Sequence, residues 1–221
     1  MTQVIYPVYK PLGISSFQVI RQLRAVTGER KIGHAGTLDP LAEGVLVVGI
    51  TRNGTRQLAN YLLCDKEYLA EIKLGATTET GDREGEEQLV EDAVAPSLVE
   101  LKVALEQFVG EIWQTPHDYS AVKIKGRPAY KIVRSGGEVK LKPKKVKIFK
   151  LKILEYSYPL IKLRVTVGSG VYIRSLAVDL GEKLGTGAYL KSLTRERVGE
   201  FLLKDCLSVD EVGERWKLNQ T

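Results

Sequence analysis

Residues 33–44, GHAGTLDPLAEG, set one His, one Thr and one Asp among residues that are mostly glycine, proline and small apolar side chains, and the apolar run VLVVGI follows at once. Asp39 carries the most chemistry of these. A carboxylate with an ordinary pKa of about 3.9 is ionised at neutral pH, and it acts as nucleophile or base when its surroundings hold it. An Asp ahead of a proline, as with Pro40, also initiates turns, so the local pattern admits a structural reading too. An arginine beside the carboxylate would orient it and keep it charged. The candidates are Arg174, Arg164 and Arg127; Arg174 lies in GSGVYIRSL, a glycine-shaped strand end with an aromatic alongside. The plain alternative for Arg174 is an exposed salt bridge.

Other chemistries are excluded. The only histidines are His34 and His117, too few for a multi-histidine metal site, and there is neither a GxSxG elbow nor an HExxH nor a GxxxxGK[ST] phosphate loop. GTGAYL at Gly185 lacks the third glycine of a dinucleotide fingerprint. Cys64 and Cys206 are the only cysteines, without CxxC spacing, which argues against a disulfide framework or a zinc site and suits the cytosol.

Asp39 lies between segments with clear strand and helix patterns. VIYPVYK is a short strand ended by Pro11 and Gly13. Ser15 or Ser16 caps a helix with Phe17, Ile20 and Leu23 at helical spacing and Gly28 as its stop. The loop then feeds the strand GVLVVGI, and GTRQLANYLL is a short helix. KEYLAEIKL alternates, with Tyr68, Ala70, Ile72 and Leu74 on one face. SLVELKVALEQFVG is an amphipathic helix with Leu98, Leu101, Leu105 and Phe108 as its stripe. YSAVKI is a strand, and RPAYKIVRSGG a helix. KVKIFKLKILEYSYP and LIKLRVTV are paired antiparallel strands turning near Pro159; VYIRSLAVDLGEKLG is a helix, SLTRERVGEFLL a final strand and SVDEVGERWKL a closing helix. Long antiparallel strands with segregated helices predict an α+β fold, and the absence of any linker predicts a single domain over residues 1–221.

Charge narrows the partner. The net charge is +6, which favours polyanions, most commonly nucleic acid. Lys140–Lys152, KLKPKKVKIFKLK, holds seven lysines and no acid, whereas Glu79–Asp92 holds seven acids and one arginine. The first is either a solvated strand face or a phosphate-tracking ridge through Lys144, Lys145 and Lys147. The second is either a solvated loop or an acidic loop that stays away from RNA. No helix carries a dense Arg/Asn face, so RNA fits better than a DNA groove. The N-terminus lacks the features of a secretory signal, and no apolar run is long enough for a membrane span, so neither membrane nor DNA is expected as a partner.

KPLGISS, GHAGTLDPLAEGVL, KEYLAEIKLG, YSAVKIKGRPAY and GVYIRSLAVDLGEKLGTGAYL occur in the order and approximate spacing of the TruB family, the bacterial tRNA pseudouridine-55 synthases, and the resemblance runs from about Tyr6 to about Leu207. It implies the pseudouridine synthase fold, a large mixed and mostly antiparallel sheet flanked by helices. It also implies isomerisation of uridine-55 in the tRNA T-stem-loop, without metal or cofactor, by a monomer in the cytoplasm. Asp39 falls on the family's catalytic aspartate, Arg174 on the arginine that pairs with it, and Tyr68 on the tyrosine that packs on the target base. His34 falls on the histidine that stacks where the target nucleotide has left. Tyr172 walls the pocket, Lys10 and Pro11 support it, and Leu193 gives apolar cover. The sequence departs from the family at PHDYSA, where His117 replaces a second proline, and in the expected lack of a C-terminal PUA domain. A non-catalytic RNA-binding or tRNA-folding factor on the same scaffold is the alternative; intact Asp39, Tyr68 and Arg174 favour the enzyme.

Overall fold

The structure, a computed structural model, describes residues 3–117, 119, 122–124 and 126–219. The chain opens with β1 (Ile5–Lys10) and α1 (Ser16–Thr27). Ser15 caps α1 reciprocally: its hydroxyl accepts from the Gln18 N–H, and the Gln18 side chain accepts from the Ser15 N–H. Gly28 ends the helix at φ +72°, a left-handed stop that glycine takes without strain. β2 (Ile32–Ala35), β3 (Ala42–Ile50), α2 (Thr51–Leu63) and β4 (Lys66–Leu74) follow. Next come the short β5 (Ala76–Thr77) and β6 (Gln88–Leu89), α3 (Leu98–Glu106), β7 (Gly110–Gln114), β8 (Lys123–Ile124), β9 (Arg127–Pro128) and α4 (Ala129–Arg134). β10 (Lys144–Ser157) and β11 (Leu160–Val167) form the long antiparallel pair, turning at Tyr158–Pro159. α5 (Ile173–Leu184), β12 (Ala188–Val198), β13 (Phe201–Leu202), a 3-10 turn and α6 (Val209–Leu218) complete the chain.

These elements gather into two compact units. One holds the chain through Tyr68 and from Leu193 onward; the other holds Leu69–Ser192. In the first unit β3 is central. β1 lies antiparallel on one side, from Ile5 opposite Gly49 to Lys10 opposite Gly44. On the other side β12 runs parallel at Ala42–Gly44 and β2 antiparallel at Val47–Ile50. Leu46, Val48 and Ile50 pack with α1 and α6 through Val19, Ile20, Leu23, Val212 and Trp216. Val45 and Val47 point the other way, towards Leu58 of α2. VLVVGI is apolar without alternation because both of its faces are covered.

In the second unit the strand order is β4, β11, β10, β7. β4 alternates along its length, burying Lys66, Tyr68, Ala70, Ile72 and Leu74. α3 packs on α5 and on β10. The α+β class and the strand pairing agree with the sequence reading, and β3 with β12 makes the strands mixed in direction.

Some expectations fail in detail. Phe17 is exposed; of the stripe read along α1, Ile20 and Leu23 are buried as expected, and Ser16 and Val19 complete the buried face in place of Phe17. Leu98 opens α3 and is exposed, while Phe108 lies beyond its end; Leu101, Ala104 and Leu105 form the buried stripe. Within YSAVKI only Lys123–Ile124 pairs as a strand, with Arg127–Pro128, and Ser120 and Ala121 lie outside the described residues. Among the described residues no helix is long and apolar enough to cross a membrane.

Candidate active site

In the first unit the loop between β2 and β3 carries Asp39, clamped from several directions. The Ser16 hydroxyl donates to the Leu38 carbonyl at 3.0 Å and accepts from the Leu38 N–H at 2.9 Å, so the first residue of α1 fixes the residue before Asp39. Gly13 N–H donates to the Pro40 carbonyl, and Ala42 N–H closes a turn on the Asp39 carbonyl, each at 2.9–3.0 Å. Leu38 and Leu41 are buried on either side, leaving Asp39 half-buried on a backbone that cannot shift freely.

Beneath the loop lie three buried cations. Lys10 is wholly buried and donates to the Pro11 and Ala42 carbonyls. Arg195, 1% exposed, donates from Nε to the Val45 carbonyl at 2.7 Å and from its terminal nitrogen to the Gly36 carbonyl at 3.1 Å. Its fork thus joins the catalytic-loop candidate to β3. Lys66 donates to the Leu62 and Cys64 carbonyls, and burial, aided by the Arg195 charge, holds its ammonium pKa below the ordinary lysine range. A buried charge without such partners is costly, so these carbonyls fix where each cation sits. Gly44 is required here: its φ is +112°, and a Cβ would fall 2.3 Å from the Arg195 carbonyl oxygen on the paired strand.

His34 ends up half-buried on β2, opposite Val48. Burial first, and the Arg195 charge second, hold its imidazole below the ordinary value of 6.5 against a smaller opposing effect of the Gly36 backbone. Its Nδ1 is buried without an aligned hydrogen-bond partner among the described residues. Leu193 is half-buried on β12 opposite Ala42, and Tyr68 is buried on β4.

In the second unit Arg174 is buried at the start of α5. Its Nε sits 3.0 Å from Asp82 Oδ2, an ion pair rather than an aligned hydrogen bond, and a terminal nitrogen donates to the Thr80 carbonyl at 3.3 Å. Asp82 is fully buried; its Oδ1 accepts from the Thr80 hydroxyl at 2.7 Å and the Glu84 N–H at 3.0 Å. Asp82 belongs to the acidic stretch read as a solvated loop, and its burial contradicts that reading at this residue. Gln114, buried at the end of β7, grips the Tyr172 backbone twice: its Oε1 accepts from the N–H at 2.7 Å and its Nε2 donates to the carbonyl at 3.0 Å. Ser175 donates to the Thr115 carbonyl at 2.9 Å. These bonds set the helix start that presents Arg174. His117 lies in the same unit near Gly81, its Nδ1 accepting from the Tyr119 N–H.

The lysines separate. Lys144, Lys145 and Lys147 are all exposed on β10, but strand alternation turns Lys145 and Lys147 to one face and Lys144 to the other. Lys145 pairs with Glu111 at 2.6 Å, and Lys147 lies over the Phe149 ring.

Sequence reading missed Ser16, Lys66, Asp82, Gln114 and Arg195. Only Asp82 left a local trace, a carboxylate flanked by Gly81 and Gly85 after a threonine. The others act on partners distant in sequence.

Residues 24–173 match the TruB family pseudouridylate synthase (N terminal domain). A relative in Protochlamydia amoebophila (strain UWE25), tRNA pseudouridine synthase B, is 44% identical over 96% of this chain and 80% of its own length. The protein of the same name in Ureaplasma parvum serovar 3 (strain ATCC 27815) is 38% identical over 94% of this chain and 92% of its own length. Among solved structures, a chain of the Cbf5-Nop10-Gar1 complex superimposes with a TM-score of 0.74 at 26% identity, covering 99% of this chain and 56% of that one.

Proposed function

This chain belongs to the TruB family of pseudouridylate synthases, and we propose on that premise that it isomerises uridine-55 in the T loop of tRNA to pseudouridine. The observation that carries the reading is Asp39 on a loop locked by Ser16, Gly13 and Arg195, in a chain that matches tRNA pseudouridine synthase B relatives over nearly its whole length. The reaction breaks the N1–C1′ bond, turns the uracil and joins C5 to C1′. C5 gives up its proton and N1 gains one, so the composition of the nucleotide is unchanged. Addition to the base, attack at C1′ and removal of the 2′ proton each use a carboxylate oxygen as nucleophile or base, the group that Asp39 supplies.

The target base is unreachable in a stacked loop, so the nucleotide leaves the stack. In this reading Tyr68 packs on the flipped base, with Tyr172 and Leu193 as its walls. His34, whose imidazole burial holds below its ordinary pKa, fills the space left in the RNA. Lys10 fixes the strand leaving Asp39's turn through the Ala42 carbonyl. Arg174, held by Asp82, is the cation that works with the aspartate in the reaction. Of the three lysines, Lys145 and Lys147, which share a face of β10, meet RNA phosphates, and Lys144 is turned from that face. The enzyme acts as a cytoplasmic monomer on the T-stem-loop, without metal or cofactor. Incubating the pure chain with an unmodified tRNA transcript and mapping pseudouridine tests this: product at the T-loop uridine supports it, and tRNA binding without product anywhere favours a non-catalytic RNA-binding factor.

A further inference from the structure

β7 is the last strand in the second unit's order, and its outward face is unusual. Trp113 is 71% exposed there, and Phe149 on the neighbouring β10 is 47% exposed. Scattered exposed apolar residues are ordinary, but two large aromatics on one edge of a sheet invite strand-to-strand aggregation unless something covers them. The residues between and beside them are cationic. Lys145 lies opposite Trp113 in the register, and the Lys147 ammonium sits 5.4 Å from the Phe149 ring centre. Phe149 and Lys147 share one side, since both approach Gly168. Glu111 balances one of these charges, and Lys150 is exposed on the same strand, so the surroundings are positive.

We propose that Trp113 and Phe149, with Lys145 and Lys147, form a stacking platform for unpaired nucleotides of the tRNA substrate, outside the uridine that reacts. This rests on the tRNA reading above. Every base has a π-face, so aromatic stacking binds unpaired nucleotides with little regard to sequence, while lysines hold the adjoining phosphates. A double helix offers no free base faces, so the occupant is single-stranded. Charge selects a polyanion over an acid-poor protein surface. The platform is also joined to the site: Gln114, the residue after Trp113, turns inward and grips the Tyr172 backbone two residues before Arg174.

The chain itself supplies the probe. Its two tryptophans are Trp113 and the buried Trp216, so a stacked base quenches the first and leaves the second. The experiment titrates the full chain with unmodified tRNA transcript, following tryptophan emission and, separately, pseudouridine formation, for the wild type, Trp113→Phe, Trp113→Ala and Phe149→Ala. The expected result is emission quenched in step with binding in the wild type and unquenched in Trp113→Phe. Trp113→Ala and Phe149→Ala each raise Kd and KM about fivefold or more with kcat held, and Trp113→Phe restores most of the affinity. A base-paired RNA duplex of equal length should not quench. Absent quenching, together with an alanine variant that binds tRNA within twofold of wild type, overturns the platform. So does a change of oligomeric state in Trp113→Ala with tRNA affinity unchanged, which gives the face to a second copy of the chain. Lack of pseudouridine in the wild type would refute the enzymatic reading instead, and the quenching readout does not depend on it.

Discussion

Asp82→Asn separates the charge of the buried pair from the shape of its loop. The Asn oxygen can still accept from the Thr80 hydroxyl and the Glu84 N–H, as Asp82 Oδ1 does at 2.7 and 3.0 Å. The amide nitrogen, however, would replace the oxygen that faces Arg174 Nε at 3.0 Å, setting donor against donor. The Arg174 side chain is only 10% exposed and that of Asp82 only 1%, so water cannot take over the lost partner. Breaking one side of a buried pair costs about 3–5 kcal/mol, most of it for the charge left behind. For a chain of this length that is a drop in Tm of roughly 6–20 °C. Arg174→Met alone should also be destabilising, but added to Asp82→Asn it removes the stranded cation, so the double variant should be more stable than the sum of the two losses by about 2 kcal/mol. Urea unfolding of wild type, both single variants and the double variant gives the cycle. Initial rates should fall through kcat in Asp82→Asn, since Arg174 loses its anchor. An Asp82→Asn protein within about 0.5 kcal/mol of wild type, the range of an ordinary surface change, would refute the reasoning.

Other consequences follow from the first unit. Gly44→Ala drives a Cβ to 2.3 Å from the Arg195 carbonyl at a φ of +112°, so it should lose more than about 3 kcal/mol or fail to fold, as read by circular dichroism and solubility. Arg195→Lys keeps the charge but cannot hold Gly36 and Val45 together. Single-turnover kinetics should show about a tenfold slower chemical step with tRNA Kd little changed. Because burial lowers the His34 pKa, both folded and unfolded chains carry it neutral above about 6.5; below that the unfolded chain takes up the proton first, so stability falls as pH drops from about 6.5 through the lower folded value. His34→Gln should flatten that acid-side loss when urea midpoints are compared at pH 7.5 and pH 5, and an unchanged slope would place the titration elsewhere.

What the sequence disclosed was what near neighbours encode. Ser15 with Gln18, Gly28 at a left-handed stop, the alternation of β4 and the pairing of β10 with β11 are all set within a few residues or across one turn. Asp39 was legible because glycine, proline and a buried strand surround it in the chain. Asp82 was not: its partner is Arg174, brought to it only by folding, and in the sequence it is one acid among seven. Arg195 was hidden for the same reason, since an inward-facing arginine on β12 looks like any charged strand residue until Gly36 and Val45 arrive beside it. Phe17 misled by hydrophobicity: the true stripe of α1 starts at Ser16, whose hydroxyl is needed at Leu38, and Phe17 falls outside it. Resemblance to the TruB family named Arg174 but not the residue that holds it.

If the Asp39 carboxylate carries the isomerisation, Asp39→Asn must abolish it. The amide preserves shape on a loop whose bonds run through backbone and Ser16, so folding and tRNA binding should persist, with Kd within about tenfold of wild type, or about 1.4 kcal/mol. Pseudouridine mapped on an unmodified tRNA transcript should appear at the T-loop uridine with the wild type and be absent with the pure variant at equal occupancy. Appreciable turnover by Asp39→Asn would contradict the account.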